Sequence, residues 1–199
     1  MRNAIKTLSH VLATIAVAPA LASFAIRRLA FGADRALEGS TEALALIPGV
    51  TGEYLRRAFL TQTLTGCDRS AVVRTGTIFS RTAARLDANV YVGPGCHLGW
   101  VHLERDVLLG AGVHVPSGGA LHGTADPDRP IRDQPGVAVA VRIGEGTWVG
   151  SAAVVLADVG RHCVIGAGAV VTKPLEDYVV AAGVPARVIR HRRAEMTAG

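Results

Sequence analysis

LDANVYVGPGCHLGWVHLERDVLLGAGVHV, residues 86–115, decides the fold. It carries a six-residue rhythm: an aliphatic residue at Leu86, Val92 and Leu98, then at Leu103, Leu109 and Val115, several of them followed by Gly. The beat returns at Ile143-Gly144, Val149-Gly150 and Val155, slips at Ala157-Asp158, and resumes at Ile165-Gly166 and Val171. Side chains alternate with period two on a strand and 3.6 on a helix, so neither element alone gives a period of six. Three short strands per turn, joined by tight corners, do: each side of a triangular coil sends one aliphatic residue into a shared core, which is a parallel β-helix. The small residue after each aliphatic is expected at the corner, where glycine tolerates backbone angles that a β-carbon forbids. An ordinary sheet with glycine turns is excluded by the register, since hairpins do not hold one period over ten hexads.

Working outward, 199 residues that are 49% hydrophobic and 19% charged fit one globular domain with an appendage. Aromatics at 5% suit a narrow interior filled by Val, Ile, Leu and Ala. Cys67, Cys96 and Cys163 have no metal-ligand spacing and read as core or edge thiols of a reducing compartment. The net charge of +5 is concentrated at Arg27-Arg28, Arg56-Arg57 and the tail Arg187, Arg190, His191, Arg192 and Arg193. Aromatic residues do not interleave these clusters and no reader fold accompanies them, which excludes a nucleic-acid partner. The earlier pairs are candidates for facing anionic lipid, or are simply solvated.

Residues 1–65 lack the rhythm and read as helical, ahead of a β-helical domain at 66–190 with a loop insertion at 117–140 and a basic tail at 191–199. Residues 11–26 are an unbroken run of apolar, Thr and Ser residues with Pro19 inside it, preceded by Arg2 and Lys6. Three readings stay open: a bent or re-entrant membrane insertion, a secretory signal ending at Ala20-Leu21-Ala22, and a helix packed on the protein. Ser40 or Thr41 is expected to cap a short helix over 42–47, ended by Pro48-Gly49. A second helix over 53–63 is expected to bury Tyr54, Leu55, Ala58 and Phe59, leaving Arg56 and Arg57 off that side. Gly66 marks entry to the β-helix, and residues 72–79 read as an imperfect first coil beneath a helical cap.

The stretch VRIGEGTWVGSAAVVLADVGRHCVIGAGAVVTKPLEDYVVAAGVPARVIR, residues 141–190, with the rhythm from residue 72 onward, resembles the hexapeptide-repeat acyltransferase superfamily. That resemblance implies a left-handed parallel β-helix, mainly β with an α-helical N-terminal appendage, that forms a homotrimer with active sites between subunits. SGGALHGTADPDRPI (117–131), ALIPG (45–49) and YLRRAF (54–59) resemble a branch that acetylates sugars in polysaccharide biosynthesis. The implied reaction moves an acetyl group from acetyl-CoA to a hydroxyl of a saccharide, free or lipid-linked, with no metal. Because coenzyme A is cytosolic, the implied location is cytoplasmic, peripheral or re-entrant at the inner membrane.

An imidazole suits removal of the acceptor proton near neutral pH, and the insertion offers His122; the family carries a catalytic histidine on the corresponding loop. The sugar-modifying branch often shows S-G-R-H-Q-H there, of which Ser117-Gly118-Gly119-Ala120-Leu121-His122 keeps only the second histidine. Asp126-Pro127 reads as turn chemistry, leaving Asp128 and Arg129 as acceptor contacts. By resemblance, Trp148 opens the coenzyme segment, and Ser151, Ala152, Gly166 and Ala167 let the pantetheine arm lie against backbone. Thr172, Lys173 and Arg187 follow, the last two as phosphate contacts. Competing readings are an antibiotic O-acetyltransferase, a scaffold protein, and a γ-class carbonic anhydrase-like protein. The last rests on the spacing of His97 and His102, and needs a third ligand that the sequence lacks at the upstream distance.

Overall fold

A computed structural model describes residues 10–195; Arg2 and Lys6, and the tail beyond 195, lie outside the described residues. Helix α1 (His10–Ala16) meets α2 (Ala18–Phe31) at a bend of 49°. Pro19 sits in the first turn of α2, where its missing N–H costs nothing. No single helix among the described residues is long and apolar enough to cross a membrane. Ala13, Val17 and Phe24 face inward, and the Phe24 ring meets Phe59 edge-on at 5.9 Å.

Two expectations for the next helices are corrected. Helix α3 runs Ala33–Ala45, so Ser40 and Thr41 are buried within it rather than capping a helix that starts at 42. Helix α4 runs Gly49–Thr63 and buries Arg56 and Arg57 along with Ala58 and Phe59, whereas Tyr54 and Leu55 are only half-buried.

The solenoid then winds through coils of three strands. The first is β1 (Gly66–Cys67), β2 (Val72–Val73) and β3 (Ile78–Phe79); the second is β4 (Arg85–Leu86), β5 (Tyr91–Val92) and β6 (His97–Leu98). The third is β7 (Val101–Leu103), β8 (Leu108–Leu109) and β9 (His114–Val115), and the fourth, after the insertion, is β10 (Val141–Ile143), β11 (Trp148–Val149) and β12 (Val154–Val155). The fifth keeps β13 (Val164–Ile165) and β14 (Val170–Val171), and β15 (Val179–Ala182) and β16 (Arg187–His191) close the end as an antiparallel pair. Every other strand pairing is parallel, giving a first face through β1, β4, β7 and β10, a second through β2, β5, β8, β11, β13 and β15, and a third through β3, β6, β9, β12 and β14. Where the rhythm slips, the first face shrinks to Val159, bridging Ile143 and Leu175.

The residues of the rhythm, from Leu86 to Val171, are at most 1% exposed. A second buried row lies two positions before them, and Cys96 and Cys163 belong to it. In that row Thr77 and Thr147 accept from the Cys96 and Cys163 N–H groups and donate to the Gly93 and Gly160 carbonyls. The role expected of the glycine after each aliphatic is also corrected. A β-carbon on Gly110 would sit 2.6 Å from the Ser151 nitrogen of the next coil, so glycine is needed there for close approach of coils. The left-handed backbone falls two residues later, at Gly112 (φ 65°), and at Asn89, Asp106 and Ala152 in equivalent corners.

The strands pair on both sides: Val72 N donates forward to the Val90 carbonyl and Trp148 N to Cys163, while Val141 N and Val159 N donate back to the Trp100 and Arg142 carbonyls of the preceding coil. The first coil has no coil before it, so the N–H and C=O groups on its open side lack ladder partners, and an unpaired buried polar group is costly. The helices supply partners. Arg56 Nε donates to Val73 O at 3.0 Å and Arg57 Nη1 to Ala71 O at 3.2 Å, while Thr41 Oγ1 accepts from Phe79 N at 3.1 Å. Arg56 Nη1 also donates to the Leu44 and Ile47 carbonyls, tying off the end of α3, while Arg57 lies 4.5 Å over the Tyr54 ring. These partners are why both arginines turn inward. Asp34 anchors the other end of α3 through Thr82 N, Thr82 Oγ1 and Arg81.

Replacing Arg56 by Ala leaves the Val73, Leu44 and Ile47 carbonyls without these donors, and is expected to cost about 3 kcal/mol of stability. Denaturant unfolding followed by circular dichroism checks this; an unchanged midpoint would mean that the cap does not depend on Arg56.

Candidate active site

The insertion leaves the solenoid at the corner between third and first faces, after β9, and is tightly built. Ser117, buried, accepts from the Trp100 N–H at 2.9 Å and fixes the point of departure. The two arms then run against each other, with Val139 N donating to Ser117 O and Val137 N to Ala120 O at 2.7 Å. A β-carbon on Gly136 would fall 2.0 Å from Leu121 O and 2.6 Å from His122 N, so glycine there lets the returning arm lie on the backbone of His122. Gln134, 8% exposed, accepts from Asp126 N and donates to the Asp126 and Arg129 carbonyls. Asp126 Oδ1 accepts from Asp128 N, the turn chemistry expected of that residue.

His122 thus has a fixed backbone and an exposed ring, and among the described residues the ring has no hydrogen-bond partner. Asp128 and Arg129 are exposed on the same insertion. Sequence reasoning missed Ser117 and Gln134 as organisers; their burial within a polar loop follows only from contacts across the insertion.

On the opposite edge of the third face, the corner between second and third faces forms a rail of small residues. Gly110-Ala111-Gly112, Gly150-Ser151-Ala152 and Gly166-Ala167-Gly168 stack on successive coils, with Ala152 N donating to Ala111 O at 2.8 Å and Gly168 N to Ser151 O at 2.9 Å. Ser151, Ala152 and Ala167 are exposed, whereas a β-carbon on Gly166 would meet the Ala182 β-carbon at 2.7 Å. Gly166, half-exposed, therefore also lets the last coils approach closely. Trp148 projects from the second face just before the rail, 52% exposed, in register with Leu108 and Val164.

The remaining residues are spread out. Thr172 and Lys173 follow β14 on the edge that bears the insertion, both exposed. Arg187 lies on β16, paired with Ala182. Farther along the tail, Arg193 stacks 3.7 Å over Tyr178 and Arg192 donates to the His162 carbonyl. One chain thus gathers Trp148, Ser151, Ala152 and Ala167 at one edge, and the His122 loop with Thr172 and Lys173 at the other. It does not bring His122 onto the rail.

The first face is charged: Arg85 and His102 hold Asp87, Arg142 holds Glu104, and Arg161 holds Asp177. Although burial pushes the Asp87 carboxyl up, its bonds to Arg85 and His102 bring it below the usual carboxylate value. His97 lies on the third face and His102 on the first, so the pair suggested by an anhydrase spacing is divided between faces. His97 instead stacks on His114, with ring centroids 5.0 Å apart.

No protein-family model matches the chain. It is 42% identical over 74 residues to a probable acetyltransferase of Mycobacterium tuberculosis, covering 36% of this chain and 25% of that protein. Over 52 residues it is 52% identical to the galactoside O-acetyltransferase of Escherichia coli, covering 25% and 26%. The chain spans about a quarter of the length of these two relatives. Among solved structures, a maltose O-acetyltransferase from Clostridium difficile superposes with a TM-score of 0.64 at 20% identity, over 79% of this chain and 87% of that one. A galactoside acetyltransferase in complex with coenzyme A gives 0.64 at 22% identity, over 88% and 85%. The chain is thus similar, in the sequence of these segments and in fold, to the hexapeptide-repeat, left-handed β-helix acyltransferases.

Proposed function

We propose that the protein transfers an acetyl group from acetyl-CoA to a hydroxyl of a saccharide or polysaccharide precursor. The observation that carries this reading is the rail: exposed small residues with main chain at the surface, preceded by an outward tryptophan, form a track for an extended pantetheine arm. The sequence similarity to acetyltransferases supports the same reading. Arg187, and Lys173 reaching from the loop edge of a neighbouring subunit, are the cationic groups for the phosphates of the coenzyme.

In the transfer, the acceptor oxygen attacks the thioester carbonyl and a C–O bond forms as the C–S bond breaks. The hydroxyl proton passes to the His122 imidazole and then to the departing thiolate, leaving free coenzyme A. A backbone N–H of the solenoid steadies the negative oxygen of the intermediate. Asp128 and Arg129, on the loop with His122, contact the acceptor.

The separation of His122 from the rail supports a homotrimer in which the loop of one subunit reaches the rail of its neighbour. Peripheral or re-entrant attachment to the inner membrane is supported by exposed Leu12, Ile15, Ile26, Leu29 and Phe31 on α1 and α2 beside Arg28 and Arg35, and a need for cytosolic acetyl-CoA favours its cytoplasmic side. Membrane attachment would concentrate a lipid-linked acceptor.

Replacing His122 by Ala is expected to lower acetyl transfer by about 10²–10⁴ and to leave acetyl-CoA affinity unchanged in calorimetry; full activity would remove His122 as the base. Ala167, exposed and clear of the coil stacking, gives the clean test of the rail. Ala167→Trp is expected to weaken acetyl-CoA binding at least about tenfold with an unaltered melting temperature, and unchanged affinity would take the rail out of the site.

A further inference from the structure

Between the two edges, the third face carries a recess of about 350 Å³ lined by Glu38, Ser80, His97, His114, Pro116 and Val154, among others. It exists because α3 is fixed on the rim of the first coil, through Thr41 on Phe79 and Asp34 on Thr82, and so borders the outward strands of the coils that follow. His97 and His114 are register partners on β6 and β9, with rings 7° from parallel. Among the described residues, neither ring nor the Glu38 carboxylate has a hydrogen-bond or ion-pair partner. Outward polar groups on the first face are treated differently, being bound into ion pairs.

The lining reads as a site for a compact polyol. Val154, Ile78 and Pro116 offer apolar surface for the C–H face of a ring. A neutral imidazole supplies one donor and one acceptor, a serine hydroxyl both, and a carboxylate acceptor oxygens only. The volume is at the low end of the roughly 300–1,000 Å³ usual for small-molecule sites, which suits one sugar ring. Pro116, on the rim, is also the residue from which the His122 loop departs.

We propose that this recess holds the acceptor as a single sugar ring, with Glu38 and the stacked His97–His114 pair binding its hydroxyls, so that the helical appendage helps to choose the acceptor. The proposal rests on transfer to a saccharide and assigns that acceptor a place.

The test uses the full chain and a panel of methyl glycopyranosides, followed by the imidazole NMR resonances, with His97→Gln and His114→Gln supplying the assignments. Saturable shifts of His97 and His114, with His102 unmoved, are expected for at least one glycoside. Glu38→Gln is expected to weaken that binding about tenfold and to leave acetyl-CoA affinity intact. Glycosides that move neither ring, or that bind Glu38→Gln and wild type equally, would overturn the proposal. Acetylation assays on the same panel separate the two levels. Binding in the recess without acetylation means that the transfer reading fails and the sugar site stands; acetylation with a silent recess means the reverse.

Discussion

A solenoid strand needs hydrogen-bond partners on both of its sides, and the rest of this protein answers to that constraint. Inner coils find those partners in the coils before and after, but the first coil has no coil before it, and only something outside the repeat can pair the groups on its open side. Two arginines from α4 and a threonine from α3 meet them at Val73, Ala71 and Phe79. The need is an electrostatic one, which is why charged residues are buried in a helix whose neighbours are Phe59 and Leu60. The other end is closed differently, by β16 turning back antiparallel on β15.

Capping has a geometric consequence for function. To place Thr41 on Phe79, α3 must lie on the rim of the third face, and that brings Glu38 beside a surface otherwise made only of repeat residues. The corner at one side of this face is a rail of small residues, and the corner at the other bears the insertion with His122. Periodic stacking explains the rail: glycines that allow coils to approach closely leave the surface there without bulk, and the corner residues between them are exposed. A single structural requirement thus produces an exposed strip of small residues, the one proposed to carry the pantetheine arm.

The rhythm that announced the solenoid was legible because each aliphatic residue meets its equivalents one coil above and below, and the core excludes anything else. Ser151, Ala152 and Ala167 could be found together for the same reason, since they hold equivalent corner positions. Gly166 has a further duty that sequence alone does not reveal, since a β-carbon there would meet the Ala182 methyl. Arg56 and Arg57 were misplaced because amphipathic spacing assumes water on a helix's charged side, whereas here bare carbonyls await them. The His97–His114 stack was hidden by coil length: the two are 17 residues apart, and only the register of β6 against β9 brings them face to face. His122 was legible as a loop histidine, but its distance from the rail depends on which edge of the coil each occupies.

That separation ties the proposed function to assembly, with the base on one subunit and the coenzyme track on another. Co-expressing His122→Ala chains with Ala167→Trp chains tests it directly, since each variant alone lacks one half of every site. If subunits mix at random in a closed trimer, sites that join an intact loop to an intact rail restore about a quarter of wild-type acetyl transfer. A mixture no more active than either variant alone would contradict the account and put loop and rail of a site in the same chain.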